Sequence, residues 1–336
     1  MARLGLAVAG CGEWGRNHVR AVAQHHGARL LHVVDSSEVR REVARSLAPG
    51  AVVSDDLDAA LADPRVDAVV VATPTPSHVP IARAALAAGK HLLVEKPLAP
   101  TVAEAADLAA RARRARRVLM VGHLLLHHPA VRYLKRLVDR GGLGQLHYAY
   151  AQRTNLGRIR TDENVLMSLA PHDVSVMSHL FGAWPQAVSA QGAAYVQSKW
   201  EDVVFLTLRF PGGRLGHVHL SWLDPHKVRR LTLVGSRTMA VFDDMEPAEK
   251  IRVHDKGPVP AEPGSWAEAL ALRFGETRIP QLPAAEPLRE QLKAFLKACR
   301  TGDVPIADAA SGVATARVLD AAARSLAARG REVAVR

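Results

Sequence analysis

Short, continuous apolar runs alternate with alanine-rich stretches through the first 122 residues. The runs at 4–9, 30–35, 51–54, 68–73, 91–95 and 118–123 show no inside–outside alternation, as expected of strands covered by helices on both faces. Strands separated by helical stretches of this length predict crossover connections and a parallel sheet. One intervening helix has a readable start, because Thr101-Val102-Ala103-Glu104 has the spacing of a capping box. After residue 123 the pattern changes to period two, at 145–154, 203–210, 214–222, 228–235 and 250–254. That predicts an antiparallel sheet with one face under helices and the other open to solvent or a second subunit.

The proline-rich stretch 258–287 predicts a wrapping loop carrying a helix near 265–274. Leu288, Leu292, Phe295, Leu296 and Cys299 recur at spacings of three and four, which predicts a helix over 287–300 with Cys299 on its buried face. A final amphipathic helix over 309–329 stops before Gly330. The fold class expected is α/β: a doubly wound parallel sheet over 1–122, then an α/β domain with a large, mostly antiparallel sheet over 123–336. Helices within 287–330 are free to pack back on the first domain.

Length agrees with two domains, since 336 residues is about twice the usual domain size. No apolar run approaches the roughly 20 residues of a membrane-spanning helix, so no membrane role is expected. The 44 Lys and Arg against 33 Asp and Glu leave +11, which favours an anionic partner. Nucleic acid is not that partner on this reading: the arginines are scattered, and 4% aromatic residues cannot supply stacking platforms. Two cysteines, Cys11 and Cys299, make neither a disulfide framework nor a structural zinc site, so a reducing cytoplasm is expected. His123 and His127 stand four apart but lack a third ligand, and no metal is expected.

The chemistry begins at Gly10-Cys11-Gly12-Glu13-Trp14-Gly15, a G-x-G-x-x-G that follows a predicted strand and opens a helix. Gly10 permits the tight turn, Gly12 lets the backbone approach a pyrophosphate, and Gly15 lets the helix pack against the strand. Asp35 ends the second strand twenty residues after Gly15, where a carboxylate accepts from both adenosine ribose hydroxyls and repels a 2′-phosphate. Ser36 and Ser37 add no arginine clamp, so NAD is favoured over NADP. Three more segments lie at predicted strand ends, where open α/β sheets bind ligands: Thr73-Pro74-Thr75-Pro76-Ser77-His78, Glu95-Lys96-Pro97 and Gly122-His123. Lys96 directly follows the buried run Leu92-Leu93-Val94, so its stem starts inside the sheet.

The glycine-rich start, the Ala-Thr-Pro-Thr-Pro-Ser-His loop and Glu95-Lys96-Pro97 together resemble the Gfo/Idh/MocA oxidoreductase family over nearly the whole chain. The resemblance implies a Rossmann domain joined to an antiparallel α/β domain that oligomerises through its open sheet, as a homodimer or homotetramer. It also implies a cis bond before Pro97, a catalytic or substrate-orienting Lys96, and a nicotinamide flanked by Glu95, Lys96 and Pro97. Contacts to the dinucleotide then fall to Gly10, Gly12, Glu13, Trp14, Gly15, Asp35, Ser36, Thr73, Pro74, Thr75, His78, Glu95, Lys96, Pro97 and His123.

The family's second motif, D-x-G-x-H-x-x-D, corresponds to 168–175, where Ser168, Ala170 and Ser175 replace Asp, Gly and Asp while His172 survives. Pro171 suits the first turn of a helix ending at Phe181, which would put His172 at the positive helix end and favour a neutral imidazole. His172 is then the first choice of base, with Lys96 polarising the oxygen, or the two in exchanged roles. The stretch 155–160, with Glu163-Asn164-Val165-Leu166 and Ala170-Pro171-His172-Asp173, is similar to the UDP-N-acetylglucosamine and UDP-N-acetylglucosaminuronate 3-dehydrogenase branch of that family. This implies a UDP-sugar bound by Lys96, Arg153, Asn155, Arg158, Arg160, Asn164, His172 and Asp173, the arginines gripping a diphosphate or a sugar carboxylate. Oxidation of a free sugar or inositol is the alternative within the reaction class. An NAD-dependent glycosidase and a non-catalytic NAD-responsive regulator are the alternatives outside it.

Overall fold

The computed structural model describes residues 3–157, 159–260 and 270–336. The chain divides into two compact units, Met1–His127 with Ala285–Ala316, and His128–Ala284 with Arg317–Arg336.

In the first unit the elements alternate as the apolar pattern predicts: β1 (Leu4–Ala9), α1 (Gly15–Ala23), β2 (Ala28–Val34), α2 (Glu38–Leu47), β3 (Val52–Ser54), α3 (Leu57–Ala62), β4 (Ala68–Val71), α4 (His78–Ala87), β5 (His91–Val94), α5 (Val102–Arg114) and β6 (Leu119–Val121). All strand pairs are parallel, in the order β3-β2-β1-β4-β5-β6. This order reverses direction between β1 and β4, the crevice where a doubly wound sheet binds dinucleotides. The central strands are wholly apolar because helices cover them: Val69, Val71, Leu92 and Val94 are completely buried with Ala82 and Leu108. Thr101 caps α5 by accepting from the Glu104 amide at 3.2 Å, and its hydroxyl donates to the Glu104 carboxylate at 2.7 Å.

The second unit contains α6 (Pro129–Asp139), β7 (Leu146–Thr154), α7 (Val165–Phe181), β8 (Ala187–Ala193), β9 (Val203–Arg209), β10 (Leu215–Ser221), β11 (Val228–Gly235), β12 (Met239–Asp243), β13 (Ile251–Pro260) and β14 (Leu270–Arg278). Later in the chain come α8 (Pro287–Thr301), α9 (Ala309–Ala327) and β15 (Val333–Ala334). The described strands form a nine-stranded sheet, β14-β13-β12-β11-β7-β10-β9-β8-β15. Every pair is antiparallel except β7 with β10. Along β7, β9 and β10 the alternation buries Ala149, Ala151, Leu206 and Val218 and exposes Tyr148, Tyr150, Phe205 and Leu215. No helix among the described residues is long and apolar enough to cross a membrane.

Two expectations fail. The helix near 265–274 is not there in its described part, since Leu270 to Phe274 lies in β14, paired with β13. The start of α7 also differs, lying six residues before Pro171. Asn164 is the true cap, accepting from the Met167 amide at 3.0 Å. Pro171 lies inside the helix and leaves the Met167 carbonyl without its intrahelical donor. His172 is therefore mid-helix, and the helix-end argument for a neutral imidazole does not apply to it. Gly182 does end α7, in the left-handed conformation at φ 64°.

Candidate active site

In the first unit the glycine-rich turn is set by contacts that admit no side chain. A Cβ on Gly15 would lie 2.1 Å from the Gly10 carbonyl oxygen, and Gly10 itself sits at φ +95° against Ala72 and Thr73. Gly12 differs, because the nearest atoms to its Cβ position belong to the Arg40 guanidinium at 3.8 Å, leaving the backbone open to an incoming phosphate. Asp35 is buried and bridges the turn, accepting from the Cys11 amide at 2.7 Å and the Ser37 amide at 2.9 Å. Arg41 is held by the Asp35 carbonyl, Glu38 and Asp55, while Arg40 stands exposed beside the turn. Glu13, Trp14 and Ser36 are exposed around it.

Glu95 faces the turn. One carboxylate oxygen accepts from the Trp14 indole at 2.6 Å and lies 2.8 Å from His18 Nε2, and the other accepts from the Lys96 amide at 3.1 Å. Burial raises its pKa, but His18, the Lys96 charge and the Trp14 bond together lower it further, so Glu95 stays ionised. Glu95 thus ties the Glu-Lys-Pro loop to α1. Its partner His18 was not singled out in the sequence, although the four-residue step from Trp14 puts both on one helix face.

The bond before Pro97 is cis. His78 does not point to a ligand: it is buried, with Nδ1 2.9 Å from the Pro97 carbonyl and Nε2 2.9 Å from the Thr73 carbonyl. Its ring joins the two loops, and both ring nitrogens are taken up by backbone carbonyls. Thr73 Oγ1 is buried without a partner, and so is His123 Nδ1. Burial pushes the His123 pKa down to about 4, which leaves a neutral ring. Lys96 is half-buried at the end of β5. An open Gly12 backbone, the Asp35 carboxylate and an orphaned Thr73 hydroxyl at successive strand ends fit a dinucleotide.

In the second unit α7 carries His172, half-buried, and Asp173, buried. Asp173 accepts both bonds of a bidentate pair from Arg153, at 2.6 Å and 2.9 Å. Asn164 is spent on the cap and on Glu201, to which it donates at 2.7 Å. Arg160 pairs with Asp162 and Glu163 at 2.8 and 2.9 Å, and Arg158 lies outside the described residues. Asn155 Oδ1 accepts from Arg229 at 3.0 Å, a residue the sequence reading passed over.

The comparisons agree with this architecture. Residues 4–123 match the family model "Oxidoreductase family, NAD-binding Rossmann fold", and residues 131–241 match the "GFO/IDH/MocA C-terminal domain". UDP-N-acetylglucosamine 3-dehydrogenase of Acidithiobacillus ferrooxidans is 32% identical over 96% of this chain and 96% of its own. The chain belongs to the Gfo/Idh/MocA oxidoreductase family. A solved structure of that dehydrogenase superposes with a TM-score of 0.80 at 29% identity, covering 98% of this chain and 99% of the other. Inositol 2-dehydrogenase of Streptomyces avermitilis is 31% identical over 65% of each chain. GenD2 from gentamicin A biosynthesis, solved in complex with NAD, gives a TM-score of 0.82 at 28% identity, covering 100% of this chain and 97% of the other. This Gfo/Idh/MocA member is accordingly an NAD-dependent oxidoreductase, and the G-x-G-x-x-G stretch from Gly10 to Gly15 and Asp35 fall within the matched NAD-binding region.

Proposed function

We propose that the protein oxidises the C3 hydroxyl of a UDP-N-acetyl amino sugar, UDP-N-acetylglucosamine or its uronate, in cytoplasmic surface-polysaccharide or lipid A biosynthesis. The observation that carries this reading is the extent of the match: 96% of both chains with the UDP-N-acetylglucosamine enzyme, against 65% with the inositol enzyme. That second similarity keeps oxidation of a free sugar or inositol as the alternative substrate reading.

NAD, when bound, supplies the hydride acceptor. This chain's residues hold the alcohol and move its proton. His172 on α7 takes the hydroxyl proton in our assignment, and Lys96 at the end of β5 orients the oxygen, both contributing through positioning as well as charge. The alternative assignment exchanges the two roles. Asn155, Arg153 and Asp173 form the polar floor of the sugar site in this reading. Arg153 serves it as a member of a closed ion pair, not as a free cation.

We further propose assembly into a homodimer or homotetramer through the open sheet face. Its support is the aromatic exposure there: Tyr148 and Tyr150 stack at 6.5 Å, and Phe205 and His219 at 4.6 Å, on a face where Tyr148, Tyr150 and Phe205 are exposed among the described residues. The catalytic assignment is tested by Lys96→Met and His172→Ala. Each is expected to abolish turnover with NAD affinity kept, and near-normal kcat in His172→Ala would move the base elsewhere.

A further inference from the structure

β7 and β11 run antiparallel with Arg153 directly opposite Arg229, so both guanidinium groups emerge on one face of the sheet. The ion pair of Arg153 with Asp173 shows that this is the face under α7. Two like charges in register are unfavourable unless anions compensate them. Here the compensation is incomplete. Asp173 is taken bidentately by Arg153, and Asp244 is 3.3 Å from both Lys250 and His128. Among the described residues, three cations, Arg153, Arg229 and Lys250, therefore face two carboxylates, leaving one positive charge over before any charge on His128 is counted.

The surplus resides on Arg229. Its terminal nitrogens donate to the Thr154 carbonyl at 3.0 Å, the Val228 carbonyl at 2.9 Å and Asn155 Oδ1 at 3.0 Å, all uncharged acceptors. A guanidinium has five N–H donors, so the Nε–H and one terminal N–H remain. These three bonds fix the group in place, and it is half-buried, which leaves a held cation accessible to a ligand. Burial and the neighbouring Arg153 push its pKa down by disfavouring the charged form. By contrast Arg230, the next residue, turns to the other face and pairs with Asp243 at 2.6 Å.

We infer that Arg229 is an oxyanion site that takes a carboxylate or phosphate oxygen of the substrate, opposite Arg153, whose partner Asp173 directly follows His172 on α7. An anion there would neutralise the surplus and satisfy the remaining donors through a charge-assisted contact. The proposal rests on the dehydrogenase reading above only for the identity of the ligand.

The test is calorimetric titration of the NAD-loaded full chain with inorganic phosphate, glucuronate and UDP-N-acetylglucosamine, in the parent, Arg229→Met and Arg229→Lys. Arg229→Met relieves the repulsion with Arg153 and is expected to keep the parent's Tm without ligand, so lost binding is not lost folding. The methionine variant should bind at least one oxyanion probe about tenfold or more weakly, with the lysine variant between it and the parent. A loss confined to glucuronate assigns the sugar carboxylate, whereas a loss with phosphate and the UDP-sugar assigns the diphosphate. Either supports the site. Parent protein that binds none of the probes, or a methionine variant that binds all of them as the parent does, overturns it. Weaker probe binding in Arg229→Met, in a protein that oxidises no UDP-sugar, would keep this site and remove only the nucleotide-sugar reading.

Discussion

Replacing Glu95 by Gln isolates what the carboxylate between α1 and the Lys96 loop contributes. In the folded chain it is the shared acceptor of Trp14, His18 and the Lys96 amide, at 2.6, 2.8 and 3.1 Å. A glutamine oxygen keeps one side of this arrangement, while its amide turns its N–H groups toward the Lys96 amide or the Trp14 indole, neither of which can accept them. Hydrogen bonds to a charged group are worth about 1.5–3 kcal/mol each, and one to two are lost, giving a destabilisation of about 3 kcal/mol. At about 2–4 °C per kcal/mol, the melting temperature of the first unit should fall by about 6–12 °C. Differential scanning calorimetry at neutral pH reads this directly. The double variant with His18→Ala should show coupling of about 1 kcal/mol or more between the two sites. The sign with pH follows from the lowered folded pKa. The contribution is complete above the ordinary value of 4.5 and is lost as pH falls through the depressed folded value, so parent and variant should converge in acid. A Glu95→Gln melting temperature within about 1 °C of the parent, or strict additivity with His18→Ala, would refute the bridging role.

Gly15→Ala should abolish NAD binding in a calorimetric titration, because its Cβ would stand 2.1 Å from the Gly10 carbonyl oxygen and force the turn open. Asp35→Ser should narrow the preference for NAD over NADP in paired affinity measurements, by removing both ribose acceptance and phosphate repulsion. His123 has its folded pKa lowered to about 4 from 6.5, so its burial costs increasing stability as pH falls through that window. Stability measured by denaturant titration should therefore fall less steeply across it in His123→Phe than in the parent.

The first unit was legible almost strand by strand, because buried parallel strands are runs of Val and Leu that nothing else in the chain resembles. β8 and β12 were not: Ala187–Ala193 is built from small residues of weak strand preference, and Met239–Asp243 is only five residues long. The start of α7 is hard to read because Pro171 is a common first-turn residue, while the true signal is Asn164 ahead of an apolar run. His78 shows the limit of motif reading: it opens α4 directly after the loop, and only the fold reveals that both ring nitrogens are consumed by carbonyls. Arg229 did leave a trace. Consecutive arginines within a strand must face opposite sides, so one of Arg229 and Arg230 had to point under the helices. Which one, and what it meets there, depends on a register that only the folded sheet defines.

Substrate identity is tested most directly by a single-turnover reaction of the purified protein and NAD with UDP-N-acetylglucosamine, its uronate, free N-acetylglucosamine, glucose and myo-inositol. NADH absorbance gives the rate, and NMR of the product locates the carbonyl. NADH formation with a UDP-sugar, a carbonyl at C3 of the amino sugar, and no turnover of the free sugars or inositol are the expected results. Oxidation of free inositol or glucose with a kcat/KM equal to or above that of either UDP-sugar would contradict the UDP-sugar reading.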